Sequence, residues 1–256
     1  MSYTLNSVII NPNSKSSPKS AVILCHGYGG DGNDISILAN YWKTFLPDTL
    51  FVCPDAPEVC KVNPTGFQWF DLMDQTDDEI LSKSLIAENK LDNLINEIIN
   101  QNKLSFKDIA LVGFSQGCMI SLQTALKKKD QIKCLIGYSG KILNIKHLNQ
   151  NINSKPEIFL MHGDKDAVVP VKFIASESAV LAVVVIVPLL MIVTITPVLV
   201  PPSSIASLCD VIVPLLVIET LVVMSESMIM ALLVPAVKSR KPPETIKPVS
   251  PSTSKV

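Results

Sequence analysis

Short runs of largely apolar residues, bounded by glycine, proline or polar residues, recur along the first two thirds of the chain. They lie at residues 21–25, 50–53, 108–114, 132–137 and 158–161. A strand covered on one face alternates apolar and polar residues, whereas a strand buried on both faces is apolar throughout. The runs therefore predict strands in the interior of a parallel sheet.

The segments between these runs carry apolar residues at helical spacing. Over residues 77–102, Ile and Leu recur three, four and seven positions apart, which predicts one apolar stripe along a long helix. Residues 116–128 directly follow a strand run and predict a second helix. Strands alternating with helices indicate an α/β fold, a mostly parallel sheet flanked by helices, which we expect over residues 1–174.

The composition of the chain changes abruptly near residue 174. Residues 175–256 contain no Gly, His, Asn, Gln, Phe, Tyr or Trp, and they hold 10 of the 18 prolines. A folded soluble domain needs glycine at tight turns and helix ends. We therefore predict a folded core over residues 1–174 and a Val/Pro-rich tail over residues 175–256 that is not part of that core.

Charge and cysteine usage exclude several classes of function. The 22 basic and 23 acidic residues leave a formal charge of −1, which offers no electrostatic footprint for nucleic acid. The six cysteines are scattered without ligand spacing, so we expect neither a disulfide framework nor a metal site. Without the pattern of a secretory signal at the N-terminus, we expect a cytoplasmic protein.

The sharpest motif is a G-x-S-x-G sequence, residues 113–117, with Ser115 at its centre. It stands between a predicted strand and a predicted helix. Glycines on either side let the chain turn sharply, and the serine is then exposed at the positive end of the helix. Ser115 is therefore a candidate nucleophile.

A glycine-rich loop, residues 26–31, follows the first apolar run. It lacks the G-x-x-x-x-G-K-[ST] pattern of a phosphate-binding loop. In an acyl-transfer enzyme such a loop supplies one backbone donor of an oxyanion hole, and the residue after the nucleophile supplies the other. This assigns the N–H groups of Tyr28 and Gln116; a plain turn is the alternative.

An acidic loop follows the last apolar run, where a triad carboxylate belongs. Asp164 and Asp166 are both candidates on position alone, and a solvated loop is the alternative.

Five segments together resemble one family. LCHGYGGDGND, FQWFDL, GFSQGCMIS, YSG and MHGDKDAVVP are similar to motifs of the carboxylesterase and acyl-protein thioesterase branch of the α/β-hydrolases, also described as phospholipase/carboxylesterase. The resemblance covers about residues 20–171, with the motifs in the family's order. It implies a hydrolase of small-molecule or acylated-protein esters that needs no cofactor.

The resemblance also implies roles for individual residues. Ser115 would be the nucleophile, Asp166 the triad acid, and Tyr28 and Gln116 the oxyanion donors. Trp69 and Phe70 would form the apolar wall of the substrate pocket, although aromatic residues in such a run could equally be core packing.

The sequence departs from the family at the triad histidine, because no histidine follows Asp166. His26 and His162 belong to the two loop motifs and are expected to be structural, and His147 is expected at the surface. The core would thus be truncated before its last strand–helix unit. We expect a serine hydrolase of esters or thioesters with impaired or absent activity; the alternative is an inactive binding or membrane-associated protein.

Residues 179–200 form an uncharged stretch of 22 residues, long enough to cross a bilayer as a helix. Pro188 and Pro197 interrupt it. Three interpretations stay open: a membrane contact, a segment from a shifted frame or an insertion, and a genuine extension.

Overall fold

The computed structural model describes residues 3–73, 76–163, 166–170 and 184–188, the last five by their backbone alone. The strands are β1 (Ser7–Ile10), β2 (Ser20–Cys25), β3 (Thr49–Pro54), β4 (Glu58–Val59), β5 (Phe67–Gln68), β6 (Ile109–Phe114), β7 (Cys134–Tyr138), β8 (Glu157–His162) and β9 (Val184–Pro188). The helices are α1 (Gly32–Trp42), α2 (Asp77–Asn102), α3 (Gln116–Lys127) and α4 (Ile145–Asn149), with a 3-10 turn at Phe106–Asp108.

Seven of these strands form one sheet in the order β1-β3-β2-β6-β7-β8-β9. β1 pairs with β3 in antiparallel orientation, and every other neighbouring pair in this sheet is parallel. β4 and β5 form a separate antiparallel ribbon. The predicted α/β class, a mostly parallel sheet flanked by helices, is confirmed.

The sheet continues past residue 174, where the sequence placed the end of the core. β9 pairs in parallel with β8, with Ile158 opposite Val184 and His162 opposite Pro188. The predicted boundary is therefore corrected by one strand. A run of valine and isoleucine suits a parallel strand, but the lack of glycine in residues 175–256 indicated a tail instead. The remainder of residues 175–256 lies outside the described residues.

Both faces of the sheet are covered, as β2 illustrates. Ala21, Ile23 and Cys25 belong to the core cluster that contains residues of α2 and α3. Val22 and Leu24 belong to the opposite cluster, which contains residues of α1. All five are 0% exposed. Successive side chains of a strand point to opposite faces. Because helices cover both faces of β2, the side chains on both of its faces are buried and apolar.

The long helix α2 has the predicted bounds. Thr76 caps its first turn, accepting a hydrogen bond from the Glu79 N–H, while the Glu79 carboxylate accepts one from the Thr76 N–H. This reciprocal capping box satisfies donors that the first turn leaves free. The helix α3 ends at Lys127, one residue before the predicted end, because Lys128 is extended.

None of the helices in the described part of the chain is long and apolar enough to cross a membrane. The predicted membrane contact over residues 179–200 falls outside the described residues, apart from the backbone of β9.

The parallel strands end at one edge of the sheet, and the candidate motifs follow those ends. The glycine-rich loop follows β2, Ser115 follows β6, and the acidic loop follows β8. Ligands of open α/β sheets bind at this carboxyl edge, so the fold itself brings motifs from distant parts of the chain together.

Replacing Ile95 by alanine should lower the free energy of unfolding by about 2–5 kcal/mol, because it removes a fully buried side chain from the core beneath α2. Ile86→Ala on the same helix is the matched control. Ile86 is 59% exposed, so its loss should stay within about 0.5 kcal/mol. Urea unfolding measures both, and equal losses would contradict the described packing of α2.

Candidate active site

Ser115 forms the tight turn between β6 and α3, with φ of 51° and ψ of −115°. Non-glycine residues rarely adopt this region, and they persist there only when the surrounding structure fixes them. One such constraint is the Ser115 N–H, which donates to the Tyr138 carbonyl of β7 at 2.7 Å. The side chain makes no capping hydrogen bond to α3. The hydroxyl is thus available at the end of the helix whose dipole favours negative charge.

The two glycines of the motif are required by close backbone contacts. A Cβ on Gly113 would lie 2.5 Å from the Gly117 carbonyl oxygen. A Cβ on Gly117 would lie 2.1 Å from the Cys25 carbonyl oxygen and 2.5 Å from that of His26. Both positions therefore exclude any side chain, and Gly117 seats α3 directly against the end of β2.

The glycine-rich loop, residues 26–31, lies beside the serine. A Cβ on Gly27 would be 3.3 Å from the Cβ of Ser115. Gln116 is the first residue of α3, so its N–H has no partner within the helix. Within the described residues, the N–H groups of Tyr28 and Gln116 donate to no protein acceptor. The fold thus brings the predicted nucleophile and the two predicted oxyanion donors to one place.

The ribbon of β4 and β5 holds this loop from its other side. The Gly29 N–H donates to the Phe67 carbonyl at 2.9 Å, and the Phe67 N–H donates to the Gly30 carbonyl at 2.8 Å. The Asn63 side-chain amide donates to the Gly29 carbonyl at 2.7 Å. A Cβ on Gly66 would lie 2.0 Å from that same oxygen. The ribbon and the segment between its strands therefore hold the loop at Gly29 and Gly30.

His26 is a structural residue of the same loop. Its side chain is 3% exposed, and its Nε2 accepts a hydrogen bond from the Ala56 N–H at 3.0 Å. Its Nδ1 therefore carries the proton and donates to the Gly27 carbonyl at 2.7 Å. Burial lowers the pKa of His26, and the neutral ring is the form that makes both bonds. With both nitrogens engaged, His26 has none left for a serine.

Trp69 and Phe70 are core residues in this structure, and their place in the wall of a substrate pocket stays a prediction. They are 1% and 0% exposed and belong to the main core cluster. The buried side chain of Gln116 accepts a hydrogen bond from the Trp69 N–H at 2.8 Å and donates to the Phe70 carbonyl at 2.6 Å. The sequence left core packing open as the alternative for both aromatic residues, and no motif signalled the side-chain role of Gln116.

A buried carboxylate follows this aromatic pair. Asp71 is 2% exposed, and its carboxylate lies 2.5 Å from the Lys61 Nζ and 3.5 Å from the Lys83 Nζ. The hydrogen bond from Lys61, assisted by the Met73 N–H, lowers the pKa of Asp71 to about 2. Asp71 therefore stays ionised near neutral pH and ties the end of the aromatic segment to the ribbon and to α2. The place of Asp71 within FQWFDL does not by itself indicate a buried ion pair, because its lysine partners lie in other segments of the chain.

Asp166 stabilises its own loop after β8. Its Oδ1 accepts hydrogen bonds from the Val168 and Val169 N–H groups, both at 2.9 Å. The Nε2 of buried His162 donates to the Val169 carbonyl at 2.5 Å and lies 3.4 Å from the Asp166 Oδ2. His162 is thus held within this loop, as expected of a structural residue. Asp164, the other candidate acid, lies outside the described residues.

The described residues offer Ser115 no hydrogen-bonded histidine. Within the described part of the chain, no hydrogen bond joins Ser115 to any of the three histidines. His147 is half-buried on α4, where its N–H is capped by Asn144. The described residues also contain no group of three or more His, Cys, Asp or Glu placed to hold a metal ion.

Comparison with known proteins points to one family. The profile described as phospholipase/carboxylesterase matches residues 5–191, a span that includes β9. Acyl-protein thioesterase 1 of Schizosaccharomyces pombe is 32% identical over 145 residues, covering 55% of this chain and 63% of that protein. Acyl-protein thioesterase 1 of Saccharomyces cerevisiae is 30% identical over 169 residues, covering 60% of this chain and 73% of that protein.

Solved structures show the same fold. Esterase PE8 is 37% identical with a TM-score of 0.67, covering 72% of this chain and 89% of that one. Acyl-protein thioesterase 2 of Zea mays is 19% identical with a TM-score of 0.54, covering 82% of this chain and 99% of that one. The second likeness concerns the fold alone. The chain spans 63% of the length of the S. pombe relative, less than two thirds.

Replacing Gly117 by alanine should lower the free energy of unfolding by about 1–3 kcal/mol, because its Cβ would collide with the backbone of Cys25. Gly163→Ala is the matched control, since a Cβ there meets nothing nearer than 3.9 Å. Urea unfolding measures both variants. A Gly117→Ala protein as stable as Gly163→Ala would contradict the packing of α3 against β2.

Stability should fall on acidification below about pH 6.5, the ordinary pKa of histidine, in part through His26. Burial lowers its pKa in the folded protein, although its bond to Gly27 and the nearby carboxylates of Asp55, Asp31 and Asp34 oppose this. On acidification, the unfolded chain therefore takes up a proton at His26 at a higher pH than the folded protein does, and this uptake favours unfolding.

The measurement is the unfolding free energy of wild type and His26→Gln at pH 7.5 and pH 5.5. We expect a smaller loss on acidification in the variant. An equal loss in both proteins would show that His26 is not held in its neutral form.

Proposed function

Because the chain belongs to the phospholipase/carboxylesterase family, we propose that it is a serine hydrolase that acts on carboxylic esters or thioesters through Ser115. The observation that carries this proposal is the geometry of the turn. Ser115 is held at positive φ at the start of α3, beside a loop fixed on both sides. Such an arrangement presents a hydroxyl and two N–H groups to the same carbonyl group.

The proposed reaction begins when the Ser115 Oγ adds to the carbonyl carbon and loses its proton to water. The carbonyl oxygen then carries negative charge, which the N–H groups of Tyr28 and Gln116 would stabilise. Collapse of this intermediate breaks the bond to the leaving group and expels an alkoxide or a thiolate, which takes up a proton from water to give the alcohol or the thiol. Water then hydrolyses the acyl-serine, releasing the carboxylic acid and restoring the hydroxyl of Ser115.

The proton of Ser115 has no histidine to receive it in the described site, so we propose that turnover is slow. In serine proteases, removing the histidine costs a factor of roughly 10⁶ in kcat, and the remaining site retains roughly 10³–10⁴ over water. The retained part comes from the oxyanion hole and substrate binding. The glycines and the ribbon support the first of these in this chain, because they hold the loop that carries Tyr28 beside Ser115.

Thioesters are the better substrates for such a site. A thiol has a pKa of about 8.5, far below that of an alcohol, so a thiolate leaves without being protonated by a general acid. The similarity to proteins named acyl-protein thioesterase supports an acylated protein as the substrate class. Hydrolysis of a small ester tests the same Ser115 chemistry more simply.

A second candidate is a catalytically inactive protein that keeps the hydrolase fold and binds its ligand or a membrane. The observation in its favour is that His26 and His162 are both committed to structural hydrogen bonds. In that case Ser115 would be an ordinary serine. The two candidates therefore differ in the reactivity of a single hydroxyl group.

A fluorophosphonate probe should label wild-type protein at Ser115, identified by mass spectrometry of the modified peptide. Ser115→Ala should lose all labelling. Ser17→Ala, which alters an exposed loop serine, should label like wild type. A serine hydrolase with a complete triad, labelled in the same tube, is the positive control. If that control is labelled and wild-type protein is not, the result would contradict the proposal and favour the inactive candidate.

Hydrolysis of p-nitrophenyl butyrate should be detectable but weak, and it should vanish in Ser115→Ala protein. Hydrolysis should be detectable because the two oxyanion donors remain, and weak because no histidine accepts the proton of Ser115. A release of nitrophenol that is identical in both proteins would show that the hydrolysis does not use Ser115.

A further inference from the structure

The side chain of Gln116 lies at the centre of the candidate site without facing a substrate. It is 0% exposed, and both ends of its amide are occupied. Its Oε1 accepts from the Trp69 N–H at 2.8 Å, and its Nε2 donates to the Phe70 carbonyl at 2.6 Å. A buried amide satisfied at both ends is costly to replace, because any change strands a backbone donor or acceptor.

The contacts continue from this segment to the glycine-rich loop. The indole N–H of Trp69 donates to the His26 carbonyl at 3.0 Å, and the two rings lie 5.9 Å apart between centroids. His26 in turn donates through Nδ1 to the Gly27 carbonyl at 2.7 Å. The next N–H along the chain is that of Tyr28. An unbroken series of hydrogen bonds thus runs from Gln116 to the peptide group that carries this donor.

We propose that the side chain of Gln116 is a positioning residue for the oxyanion hole. This inference rests on the proposed function. The backbone N–H of Gln116 is one oxyanion donor, and its side chain, acting through Trp69 and His26, fixes the loop that presents the other donor at Tyr28. One residue then sets the distance between the two donors, and that distance matters because a misplacement of 1 Å can cost about a hundredfold in rate.

Glutamine is the side chain that this role requires. The segment presents an N–H at Trp69 and a carbonyl at Phe70, so its partner needs an acceptor and a donor at fixed separation. A glutamate would accept from Trp69 but leave its charge facing the Phe70 carbonyl. A methionine of similar length would fill the space and make neither bond.

The test compares Gln116→Met with Gln123→Met. Gln123 lies on the same helix and is also 0% exposed; its side chain donates to the Ser84 hydroxyl at 3.0 Å, between α3 and α2. Both substitutions remove a buried amide from α3, so both should destabilise the protein. Only Gln116 is connected to the glycine-rich loop.

The first measurement is the second-order rate constant for fluorophosphonate labelling of Ser115, taken well below the unfolding temperature of each variant. We expect Gln116→Met to lower it by about 10-fold to 100-fold, because loss of one oxyanion donor costs about 10²–10³. Gln123→Met should remain within twofold of wild type. Equal rate constants for the two variants would overturn the proposal.

The second measurement is hydrogen exchange of the backbone amides, which needs no reactivity. Gln116→Met should speed exchange at residues 27–30 and 67–70, and Gln123→Met should leave both segments unchanged. If wild-type protein resists labelling, the proposed hydrolase function fails, and the exchange data still decide whether Gln116 orders the loop. Unchanged exchange in Gln116→Met would overturn the positioning role by itself.

Trp69→Phe provides a variant with a smaller disturbance if Gln116→Met does not fold. It keeps an aromatic ring in the core and removes the N–H that donates to the His26 carbonyl. Labelling of Ser115 should slow by about tenfold, with faster exchange confined to residues 26–30. A rate and an exchange pattern equal to those of wild type would contradict the connection between Trp69 and the loop.

Discussion

The turn at Ser115 is the constraint on which the rest of the site depends. A serine at φ of 51° has no intrinsic preference for that conformation, so its neighbours must impose it. Gly113 and Gly117 do so by letting β6, α3 and the end of β2 approach within distances that no Cβ permits. The same close approach brings the start of the glycine-rich loop against α3. Nucleophile and oxyanion loop are therefore consequences of one packing arrangement.

The polar groups around this turn make structural hydrogen bonds and ion pairs. His26 links the glycine-rich loop to Ala56, and His162 closes the acidic loop through Val169. Gln116 holds the Trp69 segment, and Asp71 fixes that segment to two lysines. Within the described residues, none of the three histidines is hydrogen-bonded to Ser115, so the proposed function relies on a preorganised turn and loop. In such a site, stabilisation of the oxyanion is the contribution that remains to catalysis.

Much of this architecture could be predicted from the sequence because its signals are local. β2 and β6 appear as uninterrupted apolar runs, α2 as an apolar stripe with its observed bounds, and Ser115 as the centre of a glycine-flanked turn. The remaining features depend on contacts between distant segments. The backbone N–H of buried Trp69 donates to the side chain of Gln116, 47 residues later, and no pattern within either segment indicates that bond. β9 was not predicted, because its valine-rich sequence belongs to no motif and lies in a segment without glycine. Its assignment as a strand depends on its pairing with β8, which the sequence does not show.

The most direct test of a preorganised serine without a base is the pH dependence of Ser115 modification by the fluorophosphonate probe, corrected with Ser115→Ala protein. Without a histidine base, the rate should follow the deprotonation of the hydroxyl itself and rise about tenfold per pH unit from pH 7 to pH 9. A histidine base would be fully deprotonated above about pH 7.5, and the rate would then level off. A continuous rise is the predicted result, and a plateau above pH 7.5 would contradict the account.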